Sequence, residues 1–370
     1  MYLCIIISMF HIVRLFFRLM PILLLAACSV APQQGGKTLK DPLIWPQPPD
    51  QPRFAYETVL RSPADIVVET EQERLRRTLT GTAVSDRPVF EKPAAIVARK
   101  GRIYVADIDT HSIVVFDVPR RRLFRFGLRE SGALLKPSGL ALDAEMNVYV
   151  ADVKLRQVLV YDSLGLFLRA VGGPEDLERP TGVAVSRDGE RIYAIDRSDS
   201  ESDNNRVVVY DKAGKKLKVI GASGSREGQF NIPLQGAVAP DGTLYVLDSG
   251  NFRVQAFDRD GRFLRAFGRP GTNLGNLARP RGIAVDDDGN IYVTDASFNN
   301  FQIFNPAGQL LLAIGQPGRD SKPGRYGLLN GIAVDETGRV YVVDQLFNKV
   351  EVFRRLSDSE GQQMLQGSER

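Results

Sequence analysis

Short apolar runs separated by turn residues recur along most of the chain. Between Arg279 and Gly318, RPRGIAVDDDGNIYVTDASFNNFQIFNPAGQLLLAIGQPG, four follow one another: Ile283 to Val285, Ile291 to Val293, Phe301 to Phe304 and Leu310 to Ile314. Runs this short, rich in β-branched and aromatic residues, have the length and composition of strands rather than helices. Asp288-Gly289 and Ala307-Gly308 fall between them, where tight hairpin turns need a residue with positive φ. The stretch therefore predicts a four-stranded antiparallel meander.

The same pattern occurs six times, each copy marked by the Asp that ends its second strand: Asp107, Asp152, Asp196, Asp248, Asp295 and Asp344. A four-strand repeat spaced by about 45 to 50 residues is the signature of a propeller blade, because one small sheet buries both faces only when a neighbour stacks on each. Closing six blades into a ring removes the exposed end faces that a linear stack must cap. The predicted fold is all-β, a six-bladed β-propeller of four-stranded antiparallel blades.

The chain's only tryptophan, Trp45, lies outside every copy, which removes a WD40 reading, and a kelch reading fails for want of repeated double glycine and tryptophan. The copies resemble the NHL repeat. The resemblance is carried by Pro137-Ser-Gly-Leu-Ala-Leu-Asp with Val148-Tyr-Val-Ala-Asp, Pro180-Thr-Gly-Val-Ala-Val with Ile192-Tyr-Ala-Ile-Asp, and Pro280-Arg-Gly-Ile-Ala-Val-Asp with Ile291-Tyr-Val-Thr-Asp, and by Asn330-Gly-Ile-Ala-Val-Asp with Val340-Tyr-Val-Val-Asp. It runs from about Lys92 to Phe353. Blade 1 departs with Ala95 in place of the glycine, blade 4 has Leu234-Gln235 after Pro233, and blade 6 has Leu329 in place of the proline.

Blade 6 has three strands of its own before the sequence turns polar, while Arg53 to Leu60, RFAYETVL, is strand-like and has no blade. Placing residues 53–61 as the outer strand of blade 6 joins the two chain ends and satisfies an open sheet edge. The propeller is thus expected over residues 53–356. Thr70-Glu-Gln-Glu73 resembles a capping box, Leu75 and Leu79 share a helix face, and Gly81 supplies a stop, which predicts one short helix over 70–80. Residues 357–370 read as a disordered polar tail.

The N-terminus carries Arg14 and Arg18, then the apolar run Leu19 to Leu25, then small residues, the layout of a secretory signal over 1–27, with Met1 or Met9 as start. Leu25-Ala26-Ala27-Cys28 resembles a bacterial lipobox. That resemblance implies cleavage before Cys28, acylation of that cysteine, and, with Ser29 next, an outer-membrane lipoprotein facing the periplasm. Residues 28–52, rich in Pro and Gln, are expected to form an extended tether. Net charge is +4 and falls further without the two leader arginines, which argues against a surface built to coat nucleic acid. Cys4 and Cys28 both precede the repeats, so the folded region has no disulfide framework.

Candidate chemistry is sparse. The six repeated Asp residues read as turn acceptors of backbone hydrogen bonds, since a catalytic group occurs once rather than once per blade. Asp199, Glu201 and Asp203 alternate like a calcium loop, but the sixth position is Asn204 rather than Gly and the twelfth is Tyr210 rather than Glu, so a metal site is disfavoured. Lactonase-like propellers hold a metal with Glu, Asn and Asp near the channel, whereas the first strands here are Ala, Val, Leu and Ile without Glu. His111 is the one histidine after the leader, too few for a histidine metal site; a Ser-His-Asp set would have to run through it, and on a blade 1 loop it reads as an ordinary surface residue. No cofactor is expected.

What remains is a surface. Arg179, Arg226, Arg269, Arg279, Arg281, Arg319 and Arg325 lie on links between blades, and Phe252, Phe298 and Phe347 on loops after second strands, all at one end of the wheel. Arginine beside aromatics is the composition of a binding hot spot. The reading is a lipid-anchored binding or scaffold protein offering this face to a protein in the cell envelope, or to a peptide or glycan. A lactonase or hydrolase at the channel mouth is the alternative. RNA binding is a third class, disfavoured by the export signal and near-neutral charge.

Overall fold

The computed structural model describes residues 43–66, 71–81, 87–129, 131–198 and 202–368. The signal segment, Cys28, most of the expected tether, and Asp199 and Glu201 lie outside them.

Six antiparallel sheets form the molecule. Blades 1 to 5 each have four strands in sequence order, with inner strands Pro93–Arg99, Pro137–Leu142, Pro180–Val185, Pro233–Val238 and Pro280–Val285. In blade 6 the inner strand Leu329–Val334 is followed by Val340–Asp344 and Lys349–Arg355, and then by Phe54–Leu60 from the other chain end. That strand pairs antiparallel with Lys349–Arg355, Tyr56 opposite Phe353 and Leu60 opposite Val350. The ring therefore closes as the pattern predicts.

Alternating side chains of each sheet enter the clusters on either side. The cluster between blades 1 and 2, for instance, takes Tyr104, Ala106, Ile113 and Val115 from one sheet and Val148, Val150, Leu159 and Tyr161 from the next, all nearly inaccessible. At the seam, Trp45, Tyr56 and Phe301 pack edge-on around Phe353 at 5.4, 6.0 and 5.4 Å between ring centres. Arg339 grips Glu57 with a two-pronged pair at 2.7 and 3.1 Å.

Near the hub the blades touch backbone to backbone. A Cβ on Gly139 would lie 2.6 Å from the Gly182 Cα, and one on Gly182 would lie 2.5 Å from the Leu234 carbonyl oxygen. Gly282 and Gly331 stand likewise against Asn330 and Ala94 of the next blades. The repeated glycine is thus a spacing requirement between sheets rather than a turn. Hydrogen bonds cross the same joints: Ser138 Oγ donates to the Pro180 carbonyl at 3.2 Å, Thr181 Oγ1 to Pro233 at 3.0 Å, Ser249 Oγ to Pro280 at 2.9 Å and Gln345 Nε2 to Pro93 at 3.1 Å.

The chain ends depart from the sequence reading in two places. Part of the expected tether is folded: Ile44–Trp45 adds a fifth strand to blade 6, pairing with Ala55 and Phe54. The polar tail is also ordered, as a helix over Asp358–Ser368. Ser357-Asp-Ser-Glu360 forms a capping box, the Glu360 amide donating to Ser357 Oγ at 3.3 Å and the Ser357 amide to Glu360 Oε2 at 2.9 Å. Met364 then packs on Ile44, Ala55 and Leu356 and covers the outermost edge. The expected short helix spans Glu71–Thr80, with Leu75 and Leu79 exposed.

Candidate interaction face around the hub

Within a blade, strands alternate in direction, so two sets of connections emerge at one end of the wheel: those from an outer strand to the next inner strand, and those from a second to a third strand. That end is called the top. The first-to-second and third-to-fourth turns form the bottom.

The repeated Asp residues bind the two top connections to each other. Asp295, fully buried, accepts from the Ala278 and Arg279 amides at 2.7 and 3.0 Å through Oδ2, and from the Ser297 and Phe298 amides at 2.8 and 3.2 Å through Oδ1. Asp152 holds Leu135, Lys136, Lys154 and Leu155 in the same way, and Asp344 holds Gly327, Leu328, Leu346 and Phe347. Burial raises the Asp196 and Asp248 carboxyls above the usual range, against the pull of backbone donors and of Arg206 and Arg253, which pair with them at 3.3 and 2.9 Å. These carboxylates are spent on positioning the backbone that carries the face.

A second set of carboxylates serves the bottom. Tyr149, Tyr292 and Tyr341 donate their hydroxyls to Asp143, Asp286 and Asp335 at 3.1, 3.0 and 2.8 Å. Burial, then the adjacent Asp, pushes all three phenols upward. The sequence reading assigned no role to these residues, although Asp and Tyr six apart recur in blades 2, 5 and 6.

Three of the top links are built, not slack. Between blades 3 and 4, Ala222–Ser223 and Gln229–Phe230 pair as a short parallel ladder, and Gln316–Pro317 and Arg325–Tyr326 do the same between blades 5 and 6. Buried side chains of the third strands anchor them from beneath. Gln255 accepts from the Gly228 amide at 2.9 Å, Gln302 from Gly275 at 2.6 Å and Glu351 from Gly324 at 3.0 Å. Glu351 is buried with Lys349, which bonds it at 2.5 Å and also donates to the Arg325 carbonyl at 3.0 Å.

These links carry the expected residues over blades 3 to 6. Arg226, Arg269, Arg279, Arg319 and Arg325 are exposed, and Arg179 and Arg281 are half-buried. Phe252, Phe298 and Phe347 are half-buried as well: Phe252 packs against the cluster between blades 4 and 5, and Lys349 Nζ lies 5.7 Å from the Phe347 ring. None of the seven arginines forms an ion pair among the described residues, and Arg281 alone of the ten lines the hub cavity. Asp203 is exposed, and no three His, Cys, Asp or Glu side chains converge as metal ligands among the described residues. His111 is exposed on the loop after Asp107 with φ 51°.

The hub encloses about 200 Å³, walled by Ala95, Val97, Leu140, Ala184 and Ile332 among others, with Arg281, Gln235 and Asn330 toward the top. Burial, then Arg279 and Arg197, holds the Arg281 guanidinium below the ordinary arginine range, and burial with Arg179 acts the same way on Arg197. Arg197, directly after Asp196, was missing from the expected surface. Its signal was a basic residue at a position where the other blades carry Ile108, Val153, Ser249, Ala296 and Gln345.

Six four-stranded blades closed by the N-terminal strand make this chain a six-bladed β-propeller. Residues 277–304, in blade 5, match the NHL repeat. Protein brain tumor of Drosophila melanogaster is 30% identical over 139 residues, covering 36% of this chain but only 13% of that protein. A structural genomics protein of unknown function from Bacteroides thetaiotaomicron superposes with a TM-score of 0.57 at 16% identity, over 80% of this chain and 76% of the other. For a gluconolactonase of Xanthomonas campestris the values are 0.54 and 17%, over 81% and 98%, and for a streptogramin B lyase 0.52 and 14%, over 72% and 94%. At such identities the likeness is one of fold.

Proposed function

We propose that the propeller is a binding module that presents the top face of blades 3 to 6 to a protein partner. One observation carries the reading: arginines without an ion pair among the described residues, on anchored links between blades, share one side of the wheel with half-buried aromatics on the loops after second strands. Anchored links lose little entropy on docking, and arginine with aromatic neighbours supplies most of the energy of known interfaces. The hub acids favour this over a hydrolase, because Asp286 and Asp335 are engaged by tyrosines and Asp287 by Arg187 at 2.9 Å. On the lipobox-like sequence, the module is tethered through acylated Cys28 to the outer membrane, facing the periplasm, and its partner is an envelope protein.

The test is capture from intact cells. A triple variant, Arg226→Glu, Phe298→Ala and Arg319→Glu, is expected to lose the co-isolated partner, and the two exposed arginine reversals alone to weaken capture while melting within a few degrees of the parent, since surface changes of this kind alter stability little. Capture that survives all three changes would place the interface elsewhere. Separately, Cys28→Ala is expected to leave the fold intact but to yield unprocessed or soluble protein. Unchanged mass and membrane partition would contradict acylation.

A further inference from the structure

Arg281 lines the top mouth of the hub, and three further arginines belong to the top ends of the neighbouring blades 3 and 5. Arg179 and Arg197 come from blade 3, the Arg197 amide donating to the Arg179 carbonyl at 3.1 Å. Arg279 and Arg281 begin the inner strand of blade 5, and Arg281 reaches the hub cavity. Arg281 lies within electrostatic reach of Arg279 and Arg197, and Arg197 within reach of Arg179. Each stays charged at any pH at which the protein is folded, so the mutual repulsion is permanent.

Among the described residues no acid answers this charge. None of the four forms an ion pair among the described residues, and no carboxylate contributes to the shifts on Arg197 or Arg281. Glu178, beside Arg179, is engaged with Ser202 and Asn204. Gln235, the polar side chain that blade 4 brings to the mouth, is already engaged, its Nε2 donating to the Ser138 and Thr181 carbonyls at 2.9 and 3.1 Å. The hub acids Asp286, Asp287, Asp335 and Glu336 sit at the bottom, because they follow the inner strands there. At the bottom these acids outnumber the lining Arg99 and Arg187, so the channel is positive at the top mouth and carries an excess of acid at the other. Such a field draws an anion to the top and holds it there.

We propose that the top mouth of the hub is a binding site for a small oxyanion, a carboxylate or a phosphate, gripped by Arg281, with Arg197, Arg179 and Arg279 supplying the positive field around it. Guanidinium forks match both groups in geometry, and their donors have no other side-chain partner here. The cavity beneath leaves about 200 Å³ for the rest of the ligand. The site holds whether or not a protein docks on the same face.

Titration calorimetry on the full chain tests this with two probes, sodium phosphate and sodium hexanoate, at low ionic strength. At least one is expected to bind saturably at one site per chain, weakening as sodium chloride is added. Phosphate alone points to a phosphorylated ligand, hexanoate alone to a carboxylate, and both to a general oxyanion site. Arg281→Gln is expected to weaken binding by about tenfold or more, the size of a lost charge-assisted bond. Its melting temperature without ligand should equal or exceed the parent's, because a repelled charge is gone. Arg187→Gln, at the bottom, should leave the affinity unchanged. Absence of saturable binding by both probes would overturn the proposal, as would an unchanged affinity in Arg281→Gln.

Discussion

Asp295 is where the repeat's most constant residue shows its purpose, for its two oxygens take four backbone amides from two loops. Replacing it by Ala leaves those donors buried without acceptors, each costing about 1–3 kcal/mol where water cannot enter. Asp295→Ala should therefore lose about 3 kcal/mol or more in a denaturant titration, and Asp295→Asn distinctly less. Equal effects would show that the negative charge is immaterial. Gly331 is a second position where one atom decides the outcome, since an added Cβ would stand 2.6 Å from the Ala94 carbonyl oxygen. Gly331→Ala should cost about 1–3 kcal/mol by forcing two blades apart. The sequence marks both residues by recurrence alone. It does not show that the acceptor role spans two loops or that the glycine faces the next blade, because those partners lie across the sheet or in the neighbouring one.

Strands were legible where period and turn chemistry agreed, and the closing strand could be placed because blade 6 lacked an edge partner. Its Leu60 is buried opposite Val350, so Leu60→Ala should cost about 2–5 kcal/mol, as other large-to-small core changes do. The helix over Asp358–Ser368 escaped notice because composition outweighed a local signal: Ser357 and Glu360 are spaced as a capping box in a polar segment. The Ser357 amide, then Arg354, lowers the Glu360 carboxyl to about 2. A folded pKa below the ordinary 4.5 means a contribution present above that value and lost as pH falls through about 2. The protection of the helix amides, relative to their intrinsic exchange rate at each pH, should fall over that window in the parent and be low already at neutral pH in Glu360→Gln. A flat profile in the parent would remove the cap from the account. Ile44–Trp45 escaped for a different reason, since two residues carry no period and their pairing depends on Phe54 and Ala55 already being in place.

At the scale of the whole wheel, ring closure fixes which connections share an end, and that places Arg226, Arg269, Phe298, Arg319 and Phe347 on one face although they span blades 3 to 6. Spacing alone supplied this placement, but not the depth of each side chain. The three aromatics proved half-buried, and Arg281 alone of the expected residues reached the hub cavity. The bottom is differently made, with surface ion pairs such as Arg187 to Asp287 and Arg259 to Asp188 that contribute little individually. The top is therefore the face with charge to spare, and the measurement that asks most directly whether it is the working face is photo-crosslinking in intact cells. A photoreactive residue would be placed singly at Phe298 and Arg319 on top, and at Asp260 and Glu336 below. The account predicts a discrete protein adduct from the two upper positions and none from the lower two. Adducts from Asp260 or Glu336, with none from Phe298 or Arg319, would contradict it.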